Sequence, residues 1–147
     1  MARDISVEVE IAATPEDVWA VLVDFAAYPE WNPYIVVAEG AARSGERLSL
    51  QMRVGGKTFT VRPKVIGVSQ ERELRWEGRL GIPGIFDADH IHRLEKTVTG
   101  TRYTQSERFT GSLVPFLGKT LEATEAAFVA MNSALKQRVE TSPAGIR

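Results

Sequence analysis

The chain has 147 residues, enough for one domain burying roughly 68–70% of its unfolded surface, so the absence of cysteine requires no metal or disulfide to compensate. With 18 Lys and Arg against 19 Asp and Glu, the net charge of −1 gives no overall attraction to nucleic acid or anionic lipid. Arg3, Asp4, Glu8 and Glu10 interrupt the stretch where a signal peptide needs an apolar run, and no later segment nears the ~18 consecutive apolar residues of a membrane span. The expectation is a soluble, cytoplasmic protein with no stable membrane insertion and no nucleic-acid partner.

Ile5, Val7, Val9 and Ile11 alternate with Ser6, Glu8 and Glu10, the period of a strand with one buried face. A helix follows, because Thr14 before Pro15, Glu16 and Asp17 supplies a cap, a proline at the first helical position and acids in the first turn. Val18, Trp19, Leu22 and Phe25 recur at helical spacing, and Tyr28-Pro29 and Asn32-Pro33 set off a second short helical turn around Trp31.

From Tyr34 to Gly111 the pattern predicts six strands, punctuated by Ser44-Gly45, Gly55-Gly56 and Ser69-Gln70. Three inward rows stand out. Leu48, Leu50, Met52 and Val54 form one, Phe59, Val61, Pro63 and Val65 the next, and Leu74, Trp76, Gly78 and Leu80 the third. Gln51, Arg53, Arg75, Glu77 and Arg79 fall on the opposite side, so the sheet is an antiparallel meander with one wet face and one that needs a cover. That cover is a helix from Pro115 to Glu140, with Phe116, Leu117, Leu121, Thr124, Phe128, Met131, Leu135 and Val139 as its apolar stripe. At about 1.5 Å per residue it is roughly 39 Å long. Residues 1–140 thus read as a single domain and residues 141–147, with Ser142-Pro143 and Gly145, as a loose tail.

Two strands break the pattern. Between residues 86 and 96, Phe86, Ala88 and Leu94 share their side with His90 and His92. Between residues 101 and 110, Tyr103 and Phe109 share theirs with Gln105 and Glu107. A buried unpaired polar group costs roughly 1–3 kcal/mol and a buried charge more, so this clustering predicts a ligand cavity rather than a solid core. If residues 97–100 are the hairpin loop, Lys96 pairs with Thr101, Leu94 with Tyr103, His92 with Gln105 and His90 with Glu107, facing one another. The expected lining is Trp76, His90, His92, Tyr103, Gln105, Glu107, Phe128, Met131 and Asn132, where Gly78 leaves room beside Trp76.

The chemistry of this group has several readings. His90 and His92 could offer two nitrogens to Zn²⁺ or Fe²⁺ with Glu107 as third ligand, but hydrogen bonding within the cavity is far more common, and no metal or cofactor is expected. His90 with Glu107 is the minimal pair for general acid–base catalysis near neutral pH, while Glu107 can equally serve to orient His90. Ser106 falls on the other face and no Gly-x-Ser-x-Gly elbow occurs, so covalent hydrolysis has no support. Gly55-Gly56 and Gly81-Ile82-Pro83-Gly84 precede no helix and read as turns rather than phosphate loops.

The order strand, two short helices, six strands, long helix resembles the helix-grip fold of the START-like (SRPBCC) superfamily. Thr14 to Trp19 looks like its first helix start, Tyr28-Pro29-Glu30-Trp31-Asn32-Pro33 its aromatic second helix, and Phe86 to Glu95 the strand with a central histidine, here His90. Ser106 to Gly111 and Met131 to Lys136 resemble the ends of the last strand and helix in the polyketide cyclase/dehydrase-like group. The resemblance implies an α+β domain with a seven-stranded curved antiparallel sheet, two short helices and a long C-terminal helix over a cavity. It also implies a small hydrophobic or amphipathic partner molecule. The alternatives are a cyclase or dehydratase in which His90 and Glu107 move protons, and a protein-interaction module using the exposed sheet face or an edge strand, against which the charged outward rows argue.

Overall fold

The computed structural model describes residues 2–79 and 81–141. Strand β1 (Ala2–Ile11) leads into helix α1 (Pro15–Leu22), and a 3-10 helix (Phe25–Glu30) follows. The strands β2 (Ile35–Glu39), β3 (Ser49–Val54), β4 (Lys57–Val61), β5 (Lys64–Ser69), β6 (Glu73–Arg79), β7 (Asp87–Lys96) and β8 (Thr101–Thr110) come next. A short 3-10 turn (Val114–Phe116) precedes helix α2 (Gly118–Thr141).

The strands form two antiparallel sheets, β1-β8-β7-β6-β5 and β2-β3-β4, rather than the single seven-stranded sheet expected from the sequence. The difference lies at Arg62-Pro63. The row from Phe59 to Val65 is two strands, β4 and β5, because Pro63 has no N–H to give to a ladder. Backbone bonds from Leu48 N to Pro63 O and from Val65 N to Glu46 O, both 2.8 Å, with a bridge between Arg47 and Lys64, still tie the sheets together across the break. Of the three inward rows, Leu48, Leu50, Met52 and Val54 are buried, as are Pro63, Val65, Leu74 and Trp76. Leu80 and the tail from residue 142 onward lie outside the described residues.

Local chemistry explains the helical opening. The Thr14 hydroxyl accepts from the Asp17 N–H at 3.2 Å, capping α1. Asn32 then turns the chain into β2, its Oδ1 accepting from the N–H groups of Tyr34 and Ile35, each at 2.9 Å.

Helix α2 begins later than the periodicity predicts. Pro115 and Phe116 belong to the 3-10 turn, and Phe116 is 81% exposed, outside the stripe. From there on the stripe holds, with Leu121, Thr124, Phe128, Met131, Leu135 and Val139 buried. The 24 residues of α2 give a rod of about 36 Å lying over β1, β3 and β8. Its polar side chains fasten it to the edge strand β1: Asn132 Nδ2 donates to Val7 O at 3.0 Å, Lys136 Nζ to Glu10 O at 3.0 Å, and Glu140 Oε2 accepts from Ala12 N at 2.8 Å. Spaced four residues apart, these three side chains share one face of the helix and occupy backbone groups at an edge that could otherwise template another strand.

Candidate functional site

The β7–β8 hairpin has the register that the alternation predicts. Lys96 pairs with Thr101, Leu94 with Tyr103, His92 with Gln105, His90 with Glu107 and Ala88 with Phe109. Directly opposed residues share a face, and here that face looks toward α2. His90, His92, Tyr103 and Gln105 are at most 1% exposed, whereas Glu107 keeps 9%.

A relay of side chains crosses from sheet to helix. His90 Nε2 meets Gln105 Oε1 at 2.9 Å, Gln105 Nε2 donates to Asn132 Oδ1 at 2.9 Å, and Asn132 ends the chain on Val7 O. On its other side, His90 Nδ1 lies 3.3 Å from Glu107 Oε1, within ion-pair range but not aligned as a hydrogen bond, so that Nδ1 has no hydrogen-bond partner. His92 Nδ1 contacts the Tyr103 hydroxyl at 2.6 Å and its Nε2 is likewise unpartnered. The two imidazoles stack with centroids 4.5 Å apart, Trp76 packs against them at 4.9 and 4.6 Å, and Phe128 covers His90 at 5.2 Å.

Burial sets the electrostatics. It holds the His92 imidazole well below the ordinary histidine range, with the neighbouring His90 adding to the effect, so His92 is neutral at neutral pH. The hydroxyls of Tyr34 and Tyr103 are pushed well up by burial, Tyr34 further by the charge of Glu107 and Tyr103 by Tyr28. All three groups therefore act through hydrogen bonds and shape, as neutral donors and acceptors. Among the described residues no three His, Cys, Asp or Glu side chains gather as a metal site would require.

Eight of the nine residues singled out in the sequence thus meet in one group, and Met131 is fully buried in the adjoining apolar core. Tyr34 was not among them. Its ring lies 5.4 Å from that of Phe128 and its hydroxyl feels Glu107, yet in the sequence it marks only where the strand run begins. The readable signal was Asn32, which caps the turn that aims Tyr34 inward.

The inner face is unevenly covered. Phe86, Ala88, Gly78, Val61, Leu117 and Ala123 are only half-buried, and Phe59, directly opposite the buried Met52 and so on the inner face, is 45% exposed. The expectation that Phe59 is buried fails because β4 is an edge strand. Surface depressions among the described residues lie elsewhere. One of about 720 Å³ runs between residues 69–73 and 93–96 near Pro15, and one of about 260 Å³ is bounded by Glu77, Arg79, Asp87, Asp89 and Arg108. The outer sheet face carries ion pairs, including a two-pronged Arg75–Asp89 contact, Arg93 with Glu73 at 2.9 Å and Arg108 with Asp4 at 3.2 Å.

A long C-terminal helix lying over antiparallel sheet is the arrangement of the helix-grip class. The chain belongs to the polyketide cyclase / dehydrase and lipid transport family, whose pattern it matches over residues 2–140. Solved structures share the fold. The Zhui aromatase/cyclase of a Streptomyces species superimposes with a TM-score of 0.79 at 19% identity, covering 99% of each chain. A protein of Mesorhizobium loti gives 0.75 at 18% identity, covering 95% of this chain and 98% of its own. The di-domain ARO/CYC BexL gives 0.75 at 16% identity, with 97% of this chain spanning 51% of that one. No curated protein is significantly similar to the chain in sequence. No described helix is long and apolar enough to cross a membrane.

Proposed function

We propose that the chain binds a small, largely hydrophobic molecule between the inner sheet face and α2, at the end where Phe59, Val61, Phe86 and Ala88 are incompletely covered. The observation that carries this reading is a gradient along β7 and β8. Half-buried Phe86 and Ala88 lead to the pair His90 and Glu107, of which Glu107 alone keeps solvent contact, and then to the sealed His92 and Gln105. An apolar approach ending on a few convergent polar groups is the usual anatomy of a small-molecule site. Trp76, Tyr103, Phe128, Met131 and Asn132 complete its walls in this reading.

Native mass spectrometry of the purified protein tests it together with titration by anilinonaphthalene sulfonate, an apolar fluorescent probe. A co-purified small molecule, or saturable probe binding lost in Ala88→Phe with folding retained, is expected. Absence of both would overturn the reading.

A second reading, a cyclase or dehydratase, is favoured by the 3.3 Å approach of His90 Nδ1 and Glu107 Oε1, which places an acid–base pair where that approach ends. In it, Glu107→Gln abolishes turnover of a polyketide-like substrate while leaving its binding intact. The shared fold of the Zhui aromatase/cyclase is compatible with this reading and does not carry it.

A further inference from the structure

The relay from Val7 to His90 has a direction, and the direction constrains where protons sit. A backbone carbonyl can only accept, so at Val7 O it is the amide nitrogen of Asn132 that points to β1 and donates. Asn132 Oδ1 is then an acceptor, and the group it faces, Gln105 Nε2, is a donor. That leaves Gln105 Oε1 facing His90 Nε2, and a carbonyl oxygen again demands a donor. His90 therefore carries a proton on Nε2. The assignment follows from an anchor that cannot be reversed, since flipping Asn132 would set its oxygen against Val7 O and flipping Gln105 would set its oxygen against Asn132 Oδ1, each a buried contact with no proton between the oxygens.

A neutral histidine has one N–H. If it is on Nε2, Nδ1 presents a lone pair, and that nitrogen lies 3.3 Å from Glu107 Oε1 with no hydrogen-bond partner, in a ring 1% exposed. An ionised carboxylate there would set negative charge against a lone pair with little water to screen it, an arrangement that one added proton turns from repulsive to attractive. The proton can reside on Nδ1, giving imidazolium and carboxylate, or on Glu107, giving imidazole and carboxylic acid. Either way the pair is neutral overall.

We propose that Gln105 and Asn132 are positioning residues that lock His90 in the Nε2–H form, so that the His90–Glu107 pair holds one proton on the side facing away from the relay. Their function is to load and aim that proton toward Glu107, the most exposed polar group of the cluster. The inference concerns the ligand-free protein and stands whether or not the proposed ligand binds. It also explains why a polar relay, rather than apolar packing, joins α2 to the sheet here.

The chain has two histidines, so imidazole nitrogen NMR of the ¹⁵N-histidine-labelled protein resolves the question, with His92→Phe and Glu107→Gln for assignment. The expected result near neutral pH is a directly bonded proton on His90 Nε2, with either a second on Nδ1 or a protonated Glu107 carboxyl in the ¹³C spectrum. His90 protonated on Nδ1 alone, or an Nε2–H imidazole beside an ionised Glu107, would overturn the proposal. In Gln105→Leu or Asn132→Ala, whichever retains a folded spectrum, His90 should lose its single tautomer and show both nitrogens in exchange. An unchanged His90 pattern in a folded variant would remove the positioning role. If both variants unfold, the wild-type nitrogen and carboxyl spectra decide.

Discussion

Phe128→Ala is the sharpest test of how the helix seals the site. The ring is fully buried, packs 5.2 Å from the His90 ring and 5.4 Å from that of Tyr34, and sits in the middle of α2. Truncating a buried Phe costs about 3–5 kcal/mol, the upper end applying where surroundings cannot collapse into the space. Here one wall is a hydrogen-bonded hairpin and the other a helix held to β1 by three polar side chains, so collapse is hindered and the upper half of that range is expected. For a chain of this size a loss of about 1 kcal/mol lowers Tm by roughly 2–4 °C, which puts the expected drop at about 8–20 °C. Urea denaturation should show the midpoint falling with an unchanged m value, and Phe128→Leu should fall between the two. A loss below about 1 kcal/mol in Phe128→Ala would refute the close packing of helix on imidazole from which the magnitude is drawn.

Protonation of His92 should oppose folding. Its folded-state pKa lies well below the ordinary 6.5, so the unfolded chain binds the proton more readily: the contribution is fully present above about 6.5 and is lost as pH falls. Stability should therefore decline below about pH 6.5 by up to ~1.4 kcal/mol per pH unit from this group, and the fraction of the slope absent in His92→Phe measures it. Gly111→Ala should be severely destabilising in urea melts, since φ is +120° and a Cβ there would lie 2.3 Å from the backbone oxygen of Ile85, which cannot swing aside as a side chain could. Lys136→Met should cost about 0.5–1.5 kcal/mol through loss of the bond to Glu10 O and the pair with Glu140, and faster amide exchange confined to the end of β1 would locate the effect.

Much of this fold was legible because two periods ran through it with little interference. Alternation in Ile5 to Ile11 and in residues 86–110 fixed faces, and because a one-residue slip would turn His90 and Glu107 outward, a guess at the hairpin loop was enough to set the register. The Thr14 cap was legible for the same reason, being a local interaction among adjacent residues. What escaped was non-local or depended on an edge. Phe59 continues an inward alternation, and only the sheet order shows that nothing covers it. Pro63 announced a break that the smooth run of apolar residues on either side concealed. Among the site residues, Asn132 was identifiable by its place on the helix, but its partners Gln105 and Val7 lie 27 and 125 positions away in sequence. Tyr34 needed the turn made by Asn32 before it could be assigned a side.

Asn132 joins three things that would otherwise be independent: the docking of α2, the edge of β1 and the state of His90. Any molecule lodging between helix and hairpin must either stop short of the Gln105–Asn132 bond or break it. Both side chains are at most 2% exposed, so each group left unpaired would cost roughly 1–3 kcal/mol, comparable with the gain from burying one apolar side chain. On the proposed reading a wholly apolar molecule would recover none of that cost by crossing the relay and would stop at the outer end, near Phe86, Ala88 and Phe109. A molecule with a polar group can replace the lost partner, and the first such group it meets is Glu107. In the proposed site the relay would therefore be the floor, separating apolar from polar ligands by the depth they reach.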